Sequence, residues 1–393
     1  MDRINQTDPL SAPLHRNSFA HLSKKHRCRG GAQIGETKTN APNGLERLRR
    51  LTHLALYILI SSHAFAPSLG GIETVSALLA EEFVRLGHSV VIVTQTPGGT
   101  DHTEFGAPIV RAPSARQLRG LVKWCDVFWH NNLSLRSVWP ALFLRKPVVV
   151  THTGSYCVRP SGLDVVLRTK HALVNRVTSV AISRYVASFF KTRSTVIPNP
   201  YDARIFQARV PPSERKRELV FLGRLVSEKG LDVLLESLGR LRQRNLHPRL
   251  TVVGSGAEKR QMEQLTRKLG LEGQVEFRGA RTGVELAEIL NEHQILVVPS
   301  KYDEPFGVVA LEGIACGCAV VASSGGGLPE AIGPCGITFP NGDINALSAA
   351  LERLLTRLEE RERLIAEGPR HLVQFQPQRV AQRYFELFQT VTL

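Results

Sequence analysis

The stretch EPFGVVALEG, residues 304 to 313, sets Glu304 and Glu312 eight residues apart around a proline, a glycine and an apolar run. A carboxylate accepts two hydroxyl hydrogen bonds, so two of them about 12 Å apart, at about 1.5 Å per residue of helix, can hold a polyol at each end. Between them the backbone amides of Phe306, Gly307 and Val308 form the free start of a helix for which Pro305 suits the first position. Such a terminus carries partial positive charge and holds phosphate. A nucleotide sugar has this layout: a hydroxyl-rich hexose, a diphosphate, and a ribose with two vicinal hydroxyls. An ordinary amphipathic helix with one glutamate before it and one on its surface has the same spacing.

The same half of the chain carries GRLVSEKG after the apolar run ELVFL, which delivers Arg224 and Lys229 from a strand end. Two cations there could neutralise a diphosphate; a solvated turn is the alternative, since exposed charges contribute little to stability. VVGSG at 252 to 256, which contains Gly254, and SSGGGLPE at 323 to 330 add glycine turns at two further strand ends, where backbone can approach a ligand. Cys316, Cys318 and Cys335 have no fourth ligand at zinc-like spacing and are expected as small buried core residues.

The chain that positions these residues has 393 of them, enough for two cores. Its 42% hydrophobic and 22% charged residues exclude disordered and membrane-spanning classes; the best apolar run, LALYILI, is far shorter than the roughly 20 residues a span needs. Six cysteines without regular spacing and an N-terminus without an apolar h-region point to reduced thiols in a cytoplasm. The net charge of +15 asks for an acidic partner: nucleic acid, anionic lipid or a phosphorylated ligand. Aromatics at 6%, with no interleaving among the basic residues, disfavour nucleic acid.

Residues 1–50 read as a basic, disordered arm. From Leu54, short β-rich runs alternate with helical patterns, the signature of parallel βαβ units. A proline-rich, charged break over 200–217 reads as a linker, after which the alternation restarts. The expected organisation is α/β: a doubly wound parallel-sheet domain over 51–199, a second over 218–371, and a C-terminal helix over 372–393 that could cross back to the first. Ligands of such sheets bind outside the carboxyl ends of the strands, so the site is expected in a central cleft that the domains face.

From Leu54 onward the chain resembles the retaining glycosyltransferases of family 4, on GGIETVSALLAEEFVRLGHSVVIVT, VFLGRLVSEKGLDVLLESL, LTVVGSG and EPFGVVALE. The resemblance implies the GT-B fold, two Rossmann-like domains, and transfer of a sugar from a nucleotide diphosphate to an acceptor hydroxyl. By it, Glu304 would hold hydroxyls of the transferred sugar and Glu312 those of the ribose, while Arg224 and Lys229 take the diphosphate. Gly70 and Gly71 would let backbone approach the donor phosphate and the acceptor, and His152 in VVVTHTG would lie near the transferred sugar. His63 and His130 compete for that last role. Where the family commonly reads PNGVD this chain has PNPYD, so Pro200 and Tyr201 alter the hinge or the acceptor pocket. No D-x-D occurs, so no metal cofactor is expected, and the cations with the helix start would replace one.

No carboxylate presents itself as the nucleophile of a double displacement, so the resemblance favours front-face transfer in which the departing phosphate deprotonates the acceptor. A nucleotide-sugar epimerase of the same fold and a non-catalytic peripheral membrane protein stand as alternatives. The acceptor is expected to be a glycan or a lipid-linked molecule, and the location cytoplasmic, at the inner face of a membrane. For that contact the sequence offers the helix SARQLRGLVKWC, with Arg116, Arg119 and Lys123 around an apolar face and Trp124 beside them. Its other reading is a crossover helix with a solvated basic face.

Overall fold

A computed structural model describes residues 55–67, 70–154, 165–190 and 194–393. The basic arm, Cys28 and Cys157 lie outside the described residues. The chain divides into two compact units, one of residues 1–151, 169–178 and 385–393, the other of residues 152–168 and 179–384.

The first elements alternate strand and helix: β1 (Tyr57–Ser62), α1 (Gly71–Arg85), β2 (Ser89–Thr94), β3 (Ile109–Arg111), α2 (Ala115–Trp124), β4 (Val127–Asn131), α3 (Leu135–Leu144) and β5 (Val148–His152). Then come α4 (Val165–Val174), β6 (Thr178–Ala181), α5 (Arg184–Ala187) and β7 (Thr195–Val196). The first sheet has the order β3-β2-β1-β4-β5-β6-β7. Its strands are continuous apolar runs, such as YILISS and SVVIVT, because helices cover both faces of a parallel sheet.

The pattern restarts with β8 (Arg217–Leu222), α6 (Leu231–Gln243), β9 (Leu250–Val253), α7 (Lys259–Lys268), β10 (Val275–Gly279), α8 (Gly283–Glu292), β11 (His293–Val298), α9 (Val308–Ala315) and β12 (Ala319–Ser323). It continues through α10 (Leu328–Ile332), β13 (Gly336–Phe339), α11 (Ile344–Thr356), α12 (Leu358–Ala366), α13 (Gly368–Leu372) and α14 (Pro377–Thr392). The second sheet, β10-β9-β8-β11-β12-β13, is parallel throughout. One core cluster, around Val220, Leu296 and Ala310, and another, around Leu219, Leu234 and Val297, pack its two faces.

The stretch 200–217 is fixed inside the second unit, not a free linker. The Tyr201 amide donates to the Phe375 carbonyl at 3.3 Å. The buried Arg215 guanidinium donates to the carbonyls of Val210 (2.9 Å), His293 (2.7 Å) and Cys316 (2.5 Å). Its charge is spread over several carbonyl oxygens, which offsets the cost of burying it. Cys125, Cys316, Cys318 and Cys335 are free and buried, and burial pushes the Cys316 thiol up to about 12 and that of Cys318 up to about 11. Phe388 of α14 is buried in the first unit, with its ring 5.5 Å from that of Phe83 and 6.5 Å from that of Trp129.

Candidate active site

In the second sheet β8 is the strand from which connections leave in both directions, so the loops after β8 and β11 flank a topological switch point. The first loop carries Arg224 and Lys229, the second runs from Pro299 to Gly307, and the two are tied together. The Lys301 amide donates to the Glu228 carbonyl at 2.8 Å, and the Lys301 ammonium meets Asp232 at 2.8 Å.

Lys229 and Glu304, which the sequence assigns to different parts of a ligand, pair with each other: Lys229 Nζ lies 2.7 Å from Glu304 Oε1. Ser300 donates its hydroxyl to the same oxygen, and Tyr302 lies beside Lys229, with its hydroxyl 3.3 Å from the ammonium. Glu304 is 5% exposed. Burial opposes charge on Lys229, but the Glu304 carboxylate and Tyr302 outweigh it and raise the lysine's pKa. Burial and the Glu304 carboxylate push the Tyr302 phenol up as well. Arg224 is exposed and is among the charges that act on Tyr302.

The backbone around Glu304 is held from two sides. Its carbonyl accepts from the Gly327 amide at 2.6 Å, and the next carbonyl, of Pro305, accepts from the Ser183 hydroxyl at 2.7 Å. Ser183 caps α5 by accepting from the Val186 amide, and the Glu330 carboxylate accepts from the amides of Arg184 (3.0 Å) and Tyr185 (3.2 Å). Asn341 donates to Asp303 at 3.2 Å. These partners lie up to 146 residues apart in the chain.

The helix begins later than the proline suggests. Gly307 is its N-cap and Val308 its first residue, so Pro305 and Phe306 precede it. Phe306 is buried with its ring 5.9 Å from that of Phe375, and serves the core by its side chain. Gly307 has φ 108, and a Cβ there would stand 2.4 Å from Leu328 Cδ2, so only glycine fits this turn. Gly254 has φ 148, and its missing Cβ leaves room for the Gly223 carbonyl oxygen, 1.8 Å from where that carbon would be. Within the protein, the close approach it permits is of backbone to backbone.

Glu312 is half-buried on α9. Burial, with the Asp202 carboxylate nearby, pushes its carboxyl up to about 8. Asp202 belongs to PNPYD, Glu330 closes the SSGGGLPE turn, and Ser300 and Tyr302 stand just before EPFGVVALEG, yet the sequence singled out none of these side chains, nor Ser183.

His152 ends β5, buried, with its ring centroid 4.2 Å from that of Phe190. Two residues on, Gly154 abuts the Glu304 loop: a Cβ there would meet Pro305 Cγ at 2.6 Å. His130 is also buried, against Phe128, and desolvation lowers its pKa to about 3, so it is neutral at physiological pH. His63 is exposed. Gly70 and Gly71 open α1 in the first unit; both are exposed, and a Cβ on Gly71 would meet nothing within 4 Å.

Two family models match the chain: Glycosyltransferase Family 4 over residues 69–204, and Glycosyl transferases group 1 over residues 202–371. It is 35% identical to a D-inositol 3-phosphate glycosyltransferase of Stackebrandtia nassauensis over 239 residues, 55% of this chain and 53% of the relative, so the match spans about half of that protein. With glycogen synthase of Mycobacterium tuberculosis the identity is 36% over 359 residues, covering 76% of this chain and 86% of the relative. Among solved structures, Anabaena HepE, determined with UDP and glucose, superposes with a TM-score of 0.70 at 19% identity, covering 84% of this chain and 99% of HepE. That likeness gives the fold, two Rossmann-like parallel-sheet domains of GT-B type, and together with the identity to glycogen synthase and the two matched models it means that the chain belongs to the glycosyltransferases of family 4.

Proposed function

We propose that the chain transfers a sugar from a nucleotide-diphosphate sugar to a hydroxyl of a glycan or lipid-linked acceptor, with the anomeric configuration retained. The observation that carries the reading is the switch point between β8 and β11, where two cations, a helix start and a buried carboxylate meet, with a second, raised carboxyl eight residues further on, in α9. Lys229 and Arg224 would stabilise the diphosphate as negative charge develops on it, and the amides of Val308 and Val309 would add their dipoles. Glu304 would accept sugar hydroxyls on the oxygen not already engaged by Lys229 and Ser300. Glu312 would accept from the ribose, and His152 would stand near the transferred sugar. Gly70 and Gly71 would let backbone come close to the donor and the acceptor.

The relatives support a sugar donor: the named ones are glycosyltransferases or glycogen synthase, and HepE was solved with UDP and glucose. No metal cofactor is needed in this reading, because Arg224, Lys229 and the helix start supply the positive charge. Among the described residues no helix is long and apolar enough to cross a membrane, and the reading puts the chain on the cytoplasmic face of one by peripheral contact. An epimerase is less well supported, since the matched families and named relatives transfer sugars.

Labelled nucleotide sugars offered with a pool of glycan and lipid-linked acceptors test the proposal. Label should move to the acceptor with the anomeric configuration of the donor, and EDTA should leave the rate unchanged. Conversion of donor to its epimer without acceptor overturns transfer; loss in EDTA restored by magnesium or manganese overturns the metal-free route.

A further inference from the structure

The helix α3, LRSVWPALFL, is apolar nearly all round, a composition that ordinarily means burial on every side. Here it is not buried on every side. Phe143 is 82% exposed, Trp139 and Leu142 are each 37% exposed, and the rings of Trp139 and Phe143 meet edge to face at 6.3 Å. Beside it packs α2, whose exposed residues Arg116, Arg119 and Lys123 recur at the i, i+3, i+7 spacing of one helix face. The connections β3 to β4 and β4 to β5 run toward the same edge of the sheet, so right-handed crossovers put α2 and α3 on one face of it. Their outward stripes therefore make one surface: cations on one helix, and Arg136, Trp139, Leu142 and Phe143 on the other, with Arg145 at its end.

No residue from Ser114 to Lys146 is acidic except Asp126, whose carboxylate accepts from the Tyr57 amide at 3.0 Å. We infer that this face is a docking surface for an anionic lipid bilayer. Trp and Phe suit the boundary between headgroups and acyl chains, while the surrounding arginines and lysine reach the lipid phosphates. The arm before residue 50 and a second copy of this face both carry net positive charge, so neither complements the rim. The inference deepens the membrane-side part of the proposed function and rests on it, but not on the donor chemistry. It also moves the anchor: Trp124, the aromatic expected to join the basic helix, is 5% exposed and stacks edge to face on Tyr57.

Sedimentation of the full chain with vesicles tests it, using phosphatidylcholine alone and phosphatidylcholine with about one third phosphatidylserine, at low salt. Binding should require the anionic lipid. R116E/R119E/K123E should lower the partition coefficient about a hundredfold, at about fivefold or more per cation. F143S, at a position 82% exposed, should lower it about tenfold. Nucleoside diphosphate binding, measured on the same variants, should stay as in the parent, so that a failed donor reading and a failed docking reading are told apart. Indifference of the parent chain to anionic vesicles, equal binding by both variants, or displacement of the vesicles by duplex DNA at equal phosphate concentration each overturns the proposal.

Discussion

At the switch between β8 and β11 the second unit gathers Arg224, Lys229 and Glu304, with Glu312 further along α9. At the switch between β1 and β4 the first unit gathers Ser61, Ser62, Ser76, Asn131 and Ser137 instead. There Ser61 and Ser137 share a hydrogen bond of 2.9 Å, Ser76 and Ser62 one of 3.0 Å, and Asn131 donates to Ser76 at 2.8 Å and to the Ile72 carbonyl at 3.2 Å. Both sheets are wound the same way and end at equivalent places, yet one end is built around a buried lysine–carboxylate pair beside an exposed arginine, and the other mainly from hydroxyls and an amide, with Arg136 adding a charge at its edge. The fold supplies the crevice in each case; what each crevice can recognise follows from the side chains at the strand ends. A charged crevice suits a diphosphate and the charge that develops on it, and a neutral one suits hydroxyls.

The sharpest way to break this comparison is to neutralise one member of the charged set. Glu304→Gln should cost about 10² to 10³ in transfer rate, while nucleoside diphosphate affinity stays within about threefold, since the lost charge faces the sugar. Lys229→Ala should lower both, because it removes positive charge from the diphosphate and leaves Glu304 buried without its ion-pair partner. Calorimetric titration with nucleoside diphosphate, alongside initial rates, separates the two patterns. Equal loss of diphosphate affinity in Glu304→Gln would return that residue to the phosphate side, and unchanged turnover in Lys229→Ala would return GRLVSEKG to a solvated turn.

A subtler test uses the environment that makes Glu312 differ from a surface glutamate. Its carboxyl is raised from 4.5 to about 8 by burial and by Asp202, so it is largely protonated near neutrality. Accepting two ribose hydroxyls favours the ionised form. Nucleoside diphosphate affinity should therefore rise with pH to about 8 and then level off, by about tenfold in all, and Glu312→Gln should lose that part of the rise. Stability runs the other way. Between pH 4.5 and about 8 the folded chain holds a proton that the unfolded chain has lost, so this group makes stability fall as pH rises through that window. Binding and melting measured at pH 6 and pH 8.5 on both proteins decide the matter; parallel pH profiles for parent and variant would remove Glu312 from the ribose.

The parts of this arrangement legible in the sequence are those carried by local spacing. The βαβ alternation shows as apolar runs between amphipathic helices, and the Glu304 to Glu312 spacing and the strand-end cations need only nearby residues to be seen. What stayed hidden depends on contacts between distant segments. The Lys229–Glu304 pair spans 75 residues, and the Glu330 carboxylate reaches back 146 to the start of α5. Helix starts are another weak point: Pro305 matches a first-turn position by type, but Gly307 adopts a positive φ and delays the helix to Val308. Periodicity also misjudges which side of an apolar helix is covered. Trp124 is buried because Tyr57 lies against it, whereas Trp139, on a helix apolar nearly all round, is left partly outside.

The smallest expected effect belongs to the neutral end. Ser76 is fully buried, bonds to Ser62 and to the Ile72 carbonyl, and accepts from Asn131. Ser76→Ala removes all three contacts and changes no charge. Asn131 keeps its bond to the Ile72 carbonyl, so the cost should be that of an imperfectly satisfied buried network, about 1 to 2 kcal/mol. For a unit of this size that lowers the melting temperature by roughly 2 to 8 °C. Nucleoside diphosphate affinity should stay within about twofold, because every charge invoked for the donor is intact and hydrogen bonds between uncharged groups carry little field. Thermal unfolding followed by circular dichroism and a nucleotide titration on the same preparation read both quantities. A loss of diphosphate affinity as large as that of Lys229→Ala would mean that the hydroxyl network takes part in holding the donor, and the division between a charged and a neutral crevice would fall.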